Sequence, residues 1–482
     1  MGTFLTVIDC QSRELVQIPS GTEYVTLSYV WGSGGAVFES DCVAGLSSRT
    51  LPLTVEDSLL VCLKLGHRYL GVDRYCIPQT DSEERDWLIK KMGEIYANST
   101  LTIVACAGDH RQYGLPGVTC LRNDLPCLST GDFTCIQMLP TTTDICHSVW
   151  GSRGWTYQEA LLSQKRLYFT DSQLYFEGFQ SVQCEWVAQP IGDFANDAVR
   201  TKDVPWIFSK LSYLEDPGQI YSCIEGYSSR QLSFESDALN AISGILAVFE
   251  RRHQVRHIWG MPYRSRYEVY RTTEPSLWHS FEFSTYSSCV RREAFPSWSW
   301  LGWRGAAFWS PLSLPYPAAW ILNICPETMS GSVLSWSDYE NNYHMYARNH
   351  DQISRFIHVQ AHMSSIAHVR ITGKHSSEYS PHPNIAIIEL VDGTKIYALE
   401  EGSDLNRIKH CLPRFLLIHM PRWDETGNEL HLLAEDHGDH WERVHLIRAL
   451  CEDCYNGMNY FEGHAGCNRL GPPDTLRTIR LG

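Results

Sequence analysis

No apolar run in this chain approaches the ~20 residues that a helical bilayer crossing needs. The longest candidate, residues 238–249, is interrupted by Asn240, Ser243 and Gly244. The opening MGTFLTVIDCQSRELV lacks the basic start and apolar run of a secretory leader. A cytoplasmic location is therefore expected, with the 17 cysteines held as thiols. Positive charge is also scarce: 40 Lys and Arg stand against 55 Asp and Glu, a formal net charge of -15. Such a surface repels phosphate backbones and anionic lipid, so neither a nucleic-acid partner nor a membrane span is expected. Walker loop, HExxH and nucleophile-elbow motifs are missing, and Gly32-Ser33-Gly34-Gly35 does not make a GxGxxG fingerprint.

What the chain does have is length and apolar content. Its 482 residues, 43% hydrophobic, can bury a large core and exceed one ordinary domain. With 20% charged residues, wholesale disorder is not expected. The 16 Trp and 24 Tyr read first as core packing.

The first ~180 residues alternate between strand and helix patterns. YVTLSYVW (24–31) is β-branched and aromatic and runs into glycines. TVEDSLLVCLKLG (54–66) places Val55, Leu59, Cys62 and Leu63 on one helical face. YLGVD (69–73) reads as a short buried strand. Asp81 is then expected to cap a helix, with Glu84 as its capping-box partner and Leu88, Met92, Ile95 and Tyr96 as its apolar stripe. LTIVACA (101–107) is the third strand. This order predicts an α/β region with a short parallel sheet and right-handed crossovers. Ligands in such sheets bind beyond the carboxyl ends of the strands. Those ends carry Tyr29, Trp31 and Gly32, then Asp73 and Arg74, then Gly108 and Asp109.

Residues 22–180 are expected as one domain. A helical connector follows over 181–290, carrying the amphipathic stretch SDALNAISGILAVF (236–249). From 291 to 482 short β-like runs such as FIHVQAHM, IAIIELV and RFLLIHM predict a β-rich C-terminal region.

Several of these segments, in order, resemble the fungal heterokaryon incompatibility (HET) domain family. LSYVWG (27–32) resembles its first box, and LGVDRYCIPQTDSEERDWLIKKMGEIYANSTLTIVACAG (70–108) its second. YGLPGV (113–118) is similar to a segment of one subgroup, and SRGWTYQEALLSQKRLYFT (152–170) resembles the closing box. Downstream, SDALNAISGI (236–245) and FPSWSWLGW (295–303) resemble segments that often accompany the domain. Gly71 departs from the family's usual Trp, and Gly178 from a frequent Cys. The resemblance implies an intracellular fungal protein of self/non-self recognition and programmed cell death. It also implies a domain likened to TIR modules, with their flavodoxin-like sheet.

Some TIR domains cleave NAD and others only assemble, and both readings stay open. As an NAD-cleaving hydrolase, the chain would need a carboxylate to offset an oxocarbenium-like transition state; Glu159, Asp73 and Glu84 are the catalytic candidates. Tyr29, Trp31 and Trp155 offer rings for stacking, Gly32 close backbone approach, and Arg74 and Arg153 guanidinium groups for a pyrophosphate. Each has a structural reading too. Glu84 completes a cap, Asp73 caps a turn, Glu159 pairs with Arg153 or Arg166, and the tryptophans fill the core. As an interaction module, the domain would self-associate or bind a protein partner, and the C-terminal half would sense or restrain it; no cofactor is then required. Cys451, Cys454, His464 and Cys467 could supply four zinc ligands, but their spacing is not a standard finger spacing, and ordinary thiols are the expectation. His437 and His440 read as a solvated loop.

Overall fold

The computed structural model describes residues 4–32, 51–80, 82–123, 127–131, 133–136, 141–178, 182–185, 216–264, 283–285, 289–309, 321–348, 352–372, 385–399, 408–423, 429–450 and 476–482. It divides into two compact units, residues 1–215 with 230–247, and residues 216–229 with 248–482. Asp81, residues 33–35 and the four zinc candidates lie outside the described residues. Among the described residues no helix is long and apolar enough to cross a membrane.

The first unit is built on strands β1 (Phe4–Asp9), β2 (Glu14–Pro19), β3 (Val25–Ser28), β4 (Tyr69–Gly71), β5 (Leu101–Ala105), β6 (Cys127–Thr130), β7 (Phe133–Ile136), β8 (Arg166–Phe169), β9 (Leu174–Glu177) and β10 (Val182–Cys184). Its helices are α1 (Leu53–Lys64), α2 (Asp73–Cys76), α3 (Glu83–Asn98), α4 (Thr141–Cys146) and α5 (Gly154–Leu162). Eight of the strands form one sheet in the order β10-β9-β8-β5-β3-β4-β1-β2. The expected parallel sheet is its centre: β3 pairs in parallel with β4 and β5, and β5 with β8. Antiparallel strands extend it on both sides, so the sheet is mixed.

Strand β3 is buried on both faces, and its alternation sorts the two layers. Val25 and Leu27 join Val55, Leu59 and Cys62 of α1, with Leu70 and Ile103, in one core. Leu63, expected in that stripe, turns outward and is 37% exposed. The polar side of α1 is buried instead, because it holds the YGLPGV segment. Asp57 accepts the Leu115 N–H at 2.7 Å and the Thr119 hydroxyl at 2.8 Å, and Thr54 accepts the Gly114 N–H at 3.1 Å. Thr26 and Ser28 face the other way, towards α3 and α5. There Thr26, Thr102 and Ser163 join hydroxyls at 2.8 and 2.6 Å, and Ser163 donates back to the Glu159 carbonyl at 2.6 Å.

Ser82, not Asp81, is the N-cap of α3, its Oγ accepting the Arg85 N–H at 3.1 Å. The third helical position is therefore Arg85, and Glu84 cannot complete the expected capping box. Met92 and Tyr96 are buried as expected, while Leu88 and Ile95 are half-buried. Gly93 of α3 meets Gly244 of the helix Asn240–His253: a Cβ on Gly93 would stand 2.8 Å from the Gly244 Cα. At Gly71 a Cβ would meet Thr26 Cγ2 at 3.4 Å, an ordinary contact, so the departure from the family's Trp leaves no hole at the first side-chain carbon.

The second unit is β-rich, as expected. Strands 353–372, 385–390, 395–399, 441–450, 429–436 and 415–423 pair in that order, and the last pairs back with the first. They close a six-stranded antiparallel ring. Ile366, Val369, Ile388, Leu417, Leu433 and Ile447 fill one core within it. Beside it, Trp298 and Trp300 of FPSWSWLGW are fully buried, their indole N–H groups donating to the Arg355 and Gly260 carbonyls at 3.0 and 2.8 Å. Each buried ring thus has its polar atom satisfied.

Candidate functional site

The parallel strands run in the order β4-β3-β5-β8, so the chain reverses its winding direction at β3. In open α/β sheets the crevice at such a reversal, beyond the carboxyl ends, is where ligands bind. Tyr29, Trp31 and Gly32 follow β3 here, and Asp73 and Arg74 follow β4. Asp73 Oδ1 accepts the Arg74 N–H at 2.7 Å and the Trp31 indole N–H at 3.3 Å. The Arg74 guanidinium lies over the Trp31 ring, 5.1 Å from its centre. Gly32 has φ +85°, and a Cβ there would stand 3.0 Å from His110 Cβ; the strand exit is shaped for glycine.

Glu159 comes from the opposite layer. It sits in α5 and is only 4% exposed. Ser28, 131 residues away, donates its hydroxyl to Glu159 Oε2 at 2.5 Å. Ser28 Oγ in turn accepts the Trp150 indole N–H at 2.8 Å. Tyr96, whose hydroxyl donates to the Leu27 carbonyl at 3.0 Å, lies beside the Glu159 carboxyl. Burial, and then the Asp73 charge, push the Glu159 carboxyl up to about 8. At neutral pH the protonated form of Glu159 is therefore favoured, with Ser28 as its hydrogen-bond donor.

Asp73 is half-buried. Burial raises its carboxyl to about 6, against the opposing pull of the Arg74 N–H, the Trp31 indole and the Arg74 and Arg153 cations. The Asp73 charge is one of the causes that raise Glu159, which links the titration of the two carboxyls. Tyr29 is 5% exposed, and burial pushes its phenol well above the ordinary range, with Asp73, Arg74 and Arg111 all in electrostatic reach.

Residues 24–159 match the heterokaryon incompatibility protein (HET) family model. No curated protein and no solved structure matches the chain. Every expected site residue falls within the HET segment, which opens at Tyr24 and closes at Glu159.

The HET segment draws Tyr29, Trp31, Asp73, Arg74, Arg153 and Glu159 into one electrostatic neighbourhood. Two other expectations go elsewhere. Glu84 is exposed in the first turn of α3. Trp155 donates its indole N–H to Asp237 at 3.3 Å, in the segment that also gives Ser233 to Arg153 at 3.2 Å. The expected pairing of Glu159 with Arg166 is not made. Arg166 donates to Glu177 at 2.8 Å and to the Ala160 and Ser163 carbonyls at 2.6 and 2.7 Å, closing the end of α5. Ser28, Trp150 and Arg111 were not singled out from the sequence, and Tyr96 was read only as part of a helix's apolar stripe. Ser28 carried one weak signal, a polar residue at the end of a buried strand. Among the described residues no group of three or more His, Cys, Asp or Glu is arranged to hold a metal ion.

Proposed function

We propose that the HET segment works as a TIR-like interaction module in fungal self/non-self recognition. In this reading it self-associates or binds a protein partner in the cytoplasm and so signals programmed cell death. The observation that carries it is the inward turn of Glu159. Its carboxyl is sealed from solvent, tied to Ser28 and charged little at neutral pH. A group in that state serves as an internal strut, and it offers little negative charge to a developing cation. The test is expression in a fungal host, wild type beside Glu159→Gln, with growth arrest and NAD level scored together. Both chains are expected to arrest growth, with NAD unchanged. Loss of arrest together with loss of NAD consumption in the glutamine variant would refute the module reading.

A second reading, cleavage of nicotinamide from NAD, keeps one specific support. Asp73 reaches solvent beside Trp31 and guanidinium groups, where a carboxylate could face a ribose ring. Incubating the oligomerised protein with NAD and measuring nicotinamide separates the two: release that Asp73→Asn abolishes would establish the enzyme.

A further inference from the structure

Two groups at the carboxyl ends of β3 and β4 keep bonding capacity that no described residue uses. The Tyr29 hydroxyl is buried and has no hydrogen-bond partner among the described residues. Burying a hydroxyl without a partner costs free energy that nothing internal returns, unless a ligand accepts its proton. Asp73 Oδ1 is saturated by Arg74 and Trp31, whereas Oδ2 receives no hydrogen bond among the described residues and the side chain is only half-buried. The positive charges of Arg74 and Arg111 reach Tyr29, and those of Arg74 and Arg153 reach Asp73.

We propose that this cluster binds a sugar phosphate. The Tyr29 hydroxyl donates to a phosphate oxygen, the Arg74 and Arg111 guanidinium groups offset the phosphate charge, and Asp73 Oδ2 accepts a sugar hydroxyl. Oxyanions favour guanidinium groups, and a buried neutral donor adds selectivity because it loses its partner when the oxyanion is missing. The inference shares its crevice with the second reading above but needs no bond to break. A chain that binds the sugar phosphate and leaves NAD intact retains the site and loses only the enzymatic reading.

The experiment is calorimetric titration of the full chain with ribose 5-phosphate, with ribose and inorganic phosphate as separate arms. Saturable binding of ribose 5-phosphate with Kd below about 1 mM is expected. Each fragment alone should bind at least about tenfold more weakly. Tyr29→Phe removes one unbonded oxygen, so its thermal midpoint should not fall, while its affinity should drop about tenfold or more. Asp73→Asn, a second variant, should lose affinity for ribose 5-phosphate and keep that for inorganic phosphate. Absence of saturable binding, equal affinity in Tyr29→Phe, or inorganic phosphate binding as tightly as ribose 5-phosphate would each overturn the proposal.

Discussion

Ser28 donates its hydroxyl to Glu159 through a 2.5 Å hydrogen bond and accepts the Trp150 indole N–H at 2.8 Å. Tyr96, whose hydroxyl donates to the Leu27 carbonyl at 3.0 Å, lies beside the same carboxyl. A neutral acid fits this setting, and an amide fits it nearly as well. The folded-state carboxyl lies above its unfolded value, so the folded form holds a proton that the unfolded form releases. Its contribution to stability is fully present below about pH 4 and is lost as pH rises towards about 8. Glu159→Gln is thus expected to match the wild type near pH 4 and to gain on it by a few kcal/mol at about pH 8. Thermal unfolding of both chains across that range checks it; a difference that does not change with pH would count against a protonated Glu159.

Arg166 and Glu177 form a second buried pair, 2% and 0% exposed at the side chain, with Tyr168 donating to the same carboxylate at 2.9 Å. Breaking one partner strands the other charge. Arg166→Met alone should cost about 3–5 kcal/mol, and Glu177→Gln a similar amount. The double variant should be less damaged than the sum, since no unpaired charge remains. A double-mutant cycle by urea unfolding measures this, and simple additivity would show that the pair is not coupled.

How far the sequence could be read follows from the range of each interaction. Val55, Leu59 and Cys62 signalled their buried face because helix periodicity is local. The strand ends placed Trp31 beside Asp73 by topology alone, and the indole bond bears out that neighbourhood. Leu63 failed because α1 spends part of its surface gripping residues 114–119 through Asp57, a contact no periodicity announces. Asp81 and Ser82 are adjacent and both able to cap, so the local pattern could not choose between them. Glu159 was assigned an arginine on general grounds of charge burial; the actual solution is protonation, driven by burial and then the Asp73 charge, against the hydrogen bond from Ser28, 131 residues away. The closure of the C-terminal ring through the pairing of 353–372 with 415–423 is likewise non-local.

Gly93 and Gly244 give a test in which two local rules oppose each other. Alanine at a helix interior position is ordinarily favourable by about 1 kcal/mol. Here the added carbon at Gly93 would meet the Gly244 Cα at 2.8 Å and Leu162 Cδ1 at 2.9 Å, and the neighbouring backbone cannot yield cheaply. Forcing such helices apart typically costs about 1–3 kcal/mol. Gly93→Ala should therefore be destabilising on balance. A thermal midpoint that rises in Gly93→Ala would mean that the helices separate without cost.

In the second unit, His419 and His431 face each other through their Nδ1 atoms at 3.0 Å, and His419 Nε2 meets Ser364 Oγ at 2.9 Å. Two facing ring nitrogens share one hydrogen, so neither ring can gain a proton at that contact without repulsion. Burial, followed by the neighbouring His431 and His362, pushes His419 down to about 3. The folded value lies below the unfolded one of about 6.5, so acid favours the unfolded chain. Stability conferred by the neutral ring is present above about pH 6.5 and drains away on acidification, by up to about 1.4 kcal/mol per pH unit. His419→Gln, which cannot take up the proton, should be less stable near neutral pH yet lose less between about pH 6 and 4. Hydrogen exchange over 415–436 reads the ring directly, and an unchanged acid slope in the variant would remove His419 as the cause.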